Sequence, residues 1–295
     1  WCKDVEFTQR IAYSLDGGKT LQKIPEACIE TICSVNRDPK VFYHDKSNAY
    51  IMVLWLEEAD YGIFRSTDMM HWQMQQKVTI ADTWECPDLF CLKVEEGKEK
   101  WVFWTASGVY IVGDFDGYTF TQTGGPKNAY ISQLPYAAQT YSNIANRVVS
   151  IPWLRLDNDG RSYTGSYGIP VEFSLKNTEA GYTLVQKPVR ELWQNCEEIE
   201  APLQDSMVIV TKEERELYTF EINETLVSYN AQSGILQVGK ETYNLQNGYK
   251  EILFILDDNI LEMFFDGGIS AGSFALNSNQ ESFSTDISCK FYKIK

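Results

Sequence analysis

The feature that most restricts how this chain can fold is a repeat of about 48 residues. D-P-K-V-F-Y-H (Asp38–His44), A-Y-I-M-V-L-W (Ala49–Trp55) and Y-G-I-F-R-S-T-D-M-M-H-W (Tyr61–Trp72) form one unit. C-P-D-L-F-C-L (Cys86–Leu92), K-W-V-F-W-T (Lys100–Thr105) and G-V-Y-I-V-G-D-F-D-G-Y-T-F (Gly108–Phe120) form the next. Phe42 and Phe90 stand 48 residues apart, as do Trp72 and Phe120. Short runs of Val, Ile, Phe, Tyr and Trp broken by Asp, Asn and Gly read as strands, and no stretch keeps apolar residues at helical spacing over three turns. A four-stranded unit with a period in the forties is a β-propeller blade, whereas a β-sandwich does not repeat so regularly.

The pattern extends in both directions. Tyr136–Ser142, Arg147–Leu154 and Gly168–Leu175 make a further unit, while Gln9–Leu21 reads as an outer strand and its turn only. From about Trp193 the texture changes to short strands such as M-V-I-V, L-Y-T-F and I-L-E-M-F-F, joined by tight turns such as D-D-N and D-G-G. These ignore the 48-residue period and predict a second, antiparallel β domain of sandwich type. The expected division is a propeller domain over residues 1–194 and a sandwich over 195–295, with the boundary near Asn195–Ala201.

Charge and residue supply narrow the chemistry. With 41 acidic against 26 basic residues the formal charge is −15, which argues against nucleic acid and anionic membrane as partners. No long apolar run marks a membrane span, and no basic and apolar leader precedes the first strand. The seven cysteines are odd in number and irregular in spacing, so buried free thiols are expected rather than a disulfide framework. Those thiols lean towards a reducing compartment. With only two histidines, neither a zinc site nor a Ser-His-Asp system is expected, and no phosphate-binding glycine motif occurs. Carboxylate chemistry remains.

In a propeller the first strand of each blade lines the central channel and opens into a funnel. Two neighbouring blades start with acid-bearing motifs, N-R-D-P-K-V-F (Asn36–Phe42) and W-E-C-P-D-L-F (Trp84–Phe90), which places Asp38 and Glu85 on adjacent first strands. Proline is tolerated at a strand start and fixes its direction. A polar funnel with carboxylates and tryptophans suits a sugar. The bland alternatives are a turn-capping role for Glu85 and an ion pair with Arg37 for Asp38. Asp88 reads as structural, and Trp55, Trp101 and Trp104 as core packing.

R-D-P-K-V-F, W-E-C-P-D-L-F and Y-A-A-Q-T-Y-S, in that order, resemble the motifs of glycoside hydrolase family 32, the invertases, levanases and inulinases. Ser174–Leu192 resembles the segment leading out of that family's propeller, and L-D-D-N-I-L-E-M-F-F-D-G-G its C-terminal sandwich. The resemblance implies an all-β chain with a five-bladed β-propeller, present in part, followed by a β-sandwich. It also implies retaining hydrolysis of β-fructosides of the sucrose, inulin or levan type, without metal or organic cofactor. Glu85 would be the general acid/base, its proton held by a raised pKa with help from Cys86 and nearby negative charge. Asp38 would bind fructose hydroxyls and stabilise the oxocarbenium-like transition state, with Arg37 holding the same region. Trp84, Tyr136 and Trp153 are candidates for the sugar-binding wall.

A retaining glycosidase needs a second carboxylate about 5–5.5 Å from the first. The N-D-P-N-G-like motif that carries the family's nucleophile does not occur in these residues, and Asp4 and Asp16 lie in outer-strand context. Three expectations follow: a piece of a longer active enzyme, a shortened fructoside-binding protein, or a ring completed by a second chain. Open strand edges favour the last, through a homo-oligomer or strand exchange. The arabinanase and xylosidase propellers are a further alternative, disfavoured by E-C-P-D and the trailing sandwich.

Overall fold

The computed structural model describes residues 6–94, 97–158, 162, 164–202, 206–276 and 282–295. Cys2 and Asp4 lie outside the described residues. The chain divides into two compact units, Trp1–Lys127 and Asn128–Lys295.

The first unit holds three antiparallel sheets. β1 (Gln9–Tyr13) pairs with β2 (Gln22–Ile29). β3 (Arg37–His44), β4 (Ala49–Glu57), β5 (Asp60–Ser66) and β6 (Gln73–Thr79) form a four-stranded meander. β7 (Asp88–Lys93), β8 (Glu99–Trp104), β9 (Val109–Phe115) and β10 (Phe120–Asn128) repeat it. Side chains alternate across a strand, and the inward residues of the two four-stranded sheets meet in one core. Ile51, Val53, Tyr61 and Ile63 pack there with Phe103, Ile111 and Phe120.

The strands that escaped the sequence reading are the polar outer ones. β2, which lies beyond the strand and turn expected over Gln9–Leu21, was not expected, and β6 and β10 went unnamed. Their sequences, Q-K-I-P-E-A-C-I and Q-M-Q-Q-K-V-T, are largely exposed. An outermost strand has little core to face, so it needs no apolar alternation, and it tolerates Pro25 where a central strand would not.

In the second unit β11 (Pro135–Thr140), β12 (Val149–Leu154), β13 (Ser166–Tyr167), β14 (Val171–Thr178) and β15 (Gly181–Pro188) form another blade-like sheet, ordered β11-β12-β14-β15 with β13 beside β12. One turn of helix, α1 (Arg190–Gln194), follows it. No helix among the described residues is long and apolar enough to cross a membrane.

The remaining strands are β16 (Cys196–Ile199), β17 (Met207–Thr211), β18 (Leu217–Ile222), β19 (Thr225–Asn230), β20 (Ile235–Val238), β21 (Glu241–Asn244), β22 (Ile252–Asp257), β23 (Ile260–Phe265), β24 (Ser270–Ala275), β25 (Phe283–Ser284) and β26 (Lys290–Ile294). They build two sheets, β16-β26-β17-β22-β23-β24 and β21-β20-β19-β18-β25. Tyr218, Phe220, Tyr229, Phe254, Met263 and Phe265 fill the space between them. Sheet membership thus changes just after α1, whereas the compact units part at Lys127/Asn128, because the β11–β15 sheet is stitched to the sandwich. Ile131 N–H donates to Ala271 O (2.8 Å), Gln186 N–H to Gly268 O (2.8 Å) and Ile169 N–H to the Glu262 carboxylate (2.6 Å).

Candidate active site

The starts of β3 and β7 carry a cluster built from residues one repeat apart. Arg37 is the first residue of β3 and Asp38 the second; Glu85 and Cys86 stand just before β7. The Arg37 Nη2 donates to Glu85 Oε1 across 48 positions of sequence. The Cys86 N–H donates to Asp38 Oδ2 at 3.1 Å and its Sγ lies 3.5 Å from the same oxygen, again across 48 positions. The contacts therefore join equivalent positions of neighbouring sheets, as expected where two copies of one unit lie side by side.

Local backbone geometry aims these groups. Asp38 (φ 62°), Glu85 (φ 60°) and Cys86 (φ 42°) all adopt left-handed conformations. That region is unfavourable for residues with a side chain, and Asp38 and Cys86 each precede a proline, which restricts them further. Strain of this kind persists where the surroundings hold it, and such positions gather at functional sites. The Glu85 carbonyl is held by the Ala106 N–H (3.1 Å), and a bulge in β3 separates Arg37 from Lys40 in the pairing with β4. Asn36, fully buried, accepts from the Ile32 and Cys33 N–H groups (2.8 and 3.0 Å) and donates to Phe7 O (2.8 Å), anchoring the segment just before Arg37.

These side chains remain partly open to solvent, at 23% for Arg37, 31% for Asp38 and 25% for Glu85. Arg37 is fixed on three sides: its guanidinium lies 4.2 Å over the Trp55 ring, donates to Val35 O (3.1 Å), and reaches Glu85. Trp55 thus has a second use beyond the core packing expected of it. The arginine contact engages one Glu85 oxygen in the absence of substrate. Cys86 is itself a neutral donor: burial, followed by the Asp38 carboxylate, pushes its thiol up to about 12.

Two residues deeper, Lys40 Nζ lies 3.1 Å from Asp88 Oδ2, and Asp88 Oδ1 accepts the N–H of Leu89 (2.8 Å). Asp88, structural in the sequence reading, has a lysine partner that the sequence reading does not anticipate. The one signal for it was the 48-residue offset between Lys40 and Asp88. Asp16 sits in the β1–β2 turn, where Thr20 and Ser14 hydrogen bonds hold its carboxyl down to about 2.

The sugar-wall candidates divide. Trp84 is exposed (48%) just ahead of Glu85. Tyr136 on β11 and Trp153 on β12 are cross-strand partners in the second unit, ring centroids 6.4 Å apart, the tyrosine buried and the tryptophan 40% exposed. Arg155, which the sequence reading missed, lies 4.4 Å over the Tyr136 ring. It also lines a cavity of about 800 Å³ together with Gln133, Lys240, Glu241 and Tyr243.

All-β repeats of four strands followed by a two-sheet domain define the class: a β-propeller with a C-terminal β-sandwich. Solved structures share it. The exo-inulinase of Aspergillus awamori superposes with a TM-score of 0.83 at 20% identity, covering 98% of this chain and 74% of that one. A β-fructofuranosidase of Schwanniomyces occidentalis complexed with fructosyl-erythritol gives 0.74 at 20% identity over 98% of this chain and 72% of that one. Residues 2–188 match the N-terminal domain of glycosyl hydrolases family 32, and the chain belongs to that family. An invertase of Debaryomyces hansenii is 34% identical over 163 residues, half of this chain and 30% of that protein. The levanase of Bacillus subtilis is 32% identical over 228 residues, 62% of this chain and 32% of that protein. These alignments span about a third of the length of the relatives.

Proposed function

We propose that this chain contributes the acid/base side of a β-fructoside-hydrolysing site. The observation that carries the reading is the cross-sheet cluster in which R-D-P and E-C-P-D bring Arg37, Asp38, Glu85 and Cys86 together on partly open, conformationally strained strand starts. Glu85 protonates the departing glycosidic oxygen and afterwards takes a proton from the attacking water. Asp38, oriented by Cys86, accepts hydrogen bonds from fructose hydroxyls and faces the positive charge that grows on the ring. Arg37 holds Glu85 before substrate arrives and supplies donors once the sugar is in place. Trp84 offers an apolar face for a sugar ring beside Glu85, and Tyr136 and Trp153, within their own unit, are further candidate faces. The N-D-P-N-G-like nucleophile motif does not occur in this sequence, so cleavage calls for a second carboxylate beyond this cluster, supplied by a longer form of the protein or by a second copy.

Fructose release from sucrose, inulin and levan tests the reading, with Glu85→Gln beside the unaltered chain. Release that vanishes in Glu85→Gln supports it; release that survives the substitution refutes the assignment. A second reading, fructoside binding without cleavage, is favoured by the absence of an N-D-P-N-G-like motif from this sequence. Saturable fructose binding without release of product selects it.

A further inference from the structure

β3 and β7 belong to different sheets, so no backbone ladder between them sets their separation. Besides the shared core, three polar contacts at matching repeat positions join the two strand starts: Arg37 to Glu85, the Cys86 N–H to Asp38, and Lys40 to Asp88. The first two joints are made by groups that must exchange partners with a sugar for the proposed reaction to occur. Their hold on the strand starts therefore changes when a sugar binds.

The third joint is different. The Asp88 side chain is 1% exposed and that of Lys40 15%. Both Asp88 oxygens are engaged, one by Lys40 and one by its own strand's Leu89 N–H. Taking one partner away would leave a charge out of water, so the pair resists opening far more than a surface ion pair does. Each member is also two residues beyond a left-handed residue, across a proline: Asp38-Pro39-Lys40 on one strand, Cys86-Pro87-Asp88 on the other. Proline fixes its own φ, so the position of Lys40 or Asp88 is passed on with little slack.

We propose that Lys40 and Asp88 are positioning residues, an internal lock that keeps the starts of β3 and β7 at a fixed separation and so holds Asp38 and Glu85 in mutual register while Arg37, Asp38 and Glu85 engage the substrate. The inference rests on the hydrolase reading for its catalytic consequence, but the lock itself is independent of it. A purely structural pair would add stability without affecting the chemistry; a positioning pair affects turnover even in a folded protein, since a misplacement of about 1 Å can cost on the order of 10²-fold in rate.

The test uses the full chain with Lys40→Met, Lys40→Arg and the double variant Lys40→Met/Asp88→Asn. Melting temperature, amide hydrogen exchange and fructose release are measured on each. Lys40→Met is expected to lower kcat roughly 10²-fold with little change in KM. It should also quicken exchange at both strand starts, residues 36–40 and 84–89. Lys40→Arg should keep most of the activity. The double variant, with no unpaired charge left, should regain melting temperature but not kcat. Recovery of both in the double variant, or an unchanged kcat in a folded Lys40→Met protein, would overturn the proposal. If the unaltered chain releases no fructose for want of a second carboxylate, kcat is silent and exchange decides the lock. Loosening at both strand starts supports it; loosening confined to residues 36–40, or none, refutes it.

Discussion

Glu262 is a carboxyl group placed where water is nearly absent. It lies on β23, opposite Ser273 of β24, and is 8% exposed. The Ile169 N–H and the Ser273 hydroxyl bind its two oxygens at 2.6 and 3.1 Å, yet burial dominates and pushes its pKa from 4.5 up to about 7. Asp257 adds to the rise. The unfolded chain gives up this proton near 4.5, the folded chain only near 7. Between those values the folded state binds more protons, so stability is full below about 4.5 and falls as pH rises towards 7. At about 1.4 kcal/mol per pH unit the whole loss is about 3 kcal/mol, most of it between about pH 5 and 8. For a unit of this size that is roughly 5–10 °C in melting temperature.

Glu262→Gln keeps an oxygen for the Ile169 N–H but cannot ionise. Its melting temperature should therefore approach or exceed that of the unaltered chain at pH 8 and lose most of the pH dependence assigned to Glu262. The assay is thermal unfolding of both proteins from pH 5 to 8, taken as a difference so that other titrating groups cancel. Parallel curves for the two proteins would refute the reasoning.

Further outcomes follow from the same geometry. Phe254 is fully buried, 4.8 Å from Phe220 in the sandwich core, so Phe254→Ala should cost about 3–5 kcal/mol in urea unfolding. Gly268 has φ +93°, and a Cβ there would lie 1.9 Å from the Gln186 carbonyl oxygen. Gly268→Ala should accordingly quicken amide exchange of Gln186 and lower the melting temperature; unchanged exchange would contradict the packing. Cys86, with its thiol pushed up to about 12 by burial and by Asp38, should label slowly with iodoacetamide at pH 8. Rapid labelling at Cys86, read by peptide mass spectrometry, would show that the thiol is not held in that environment.

Much of this protein was legible before any coordinates, because its fold is written in periods. The 48-residue repeat located the four-stranded sheets, and the end of that period marked where the strands of the sandwich begin. The R-D-P and W-E-C-P-D motifs placed Arg37, Asp38, Glu85 and Cys86 at equivalent positions of neighbouring units, and residues that are equivalent in a repeat tend to meet when the units pack side by side. Outer strands such as β2 and β6 stayed hidden for the complementary reason: with little core to face, their sequences carry no alternation to read.

Only the tertiary structure decided what those residues touch. That Arg37 would bind Glu85 rather than serve Asp38 alone, and that Trp55 would seat its guanidinium, depends on side-chain directions that spacing does not encode. The same holds for Lys40 and Asp88, two unremarkable charges in sequence that become a buried pair because neighbouring sheets bring them together. Glu262 reads in sequence as one acid in an apolar strand, I-L-E-M-F-F. It becomes a buried carboxyl titrating near 7 only because both faces of β23 are covered, one by the sandwich core and the other by the chain around Ile169. Sequence fixes periods and chemical supply; burial and partnership arise between segments far apart in the chain, and they set the charge state and the aim of each group.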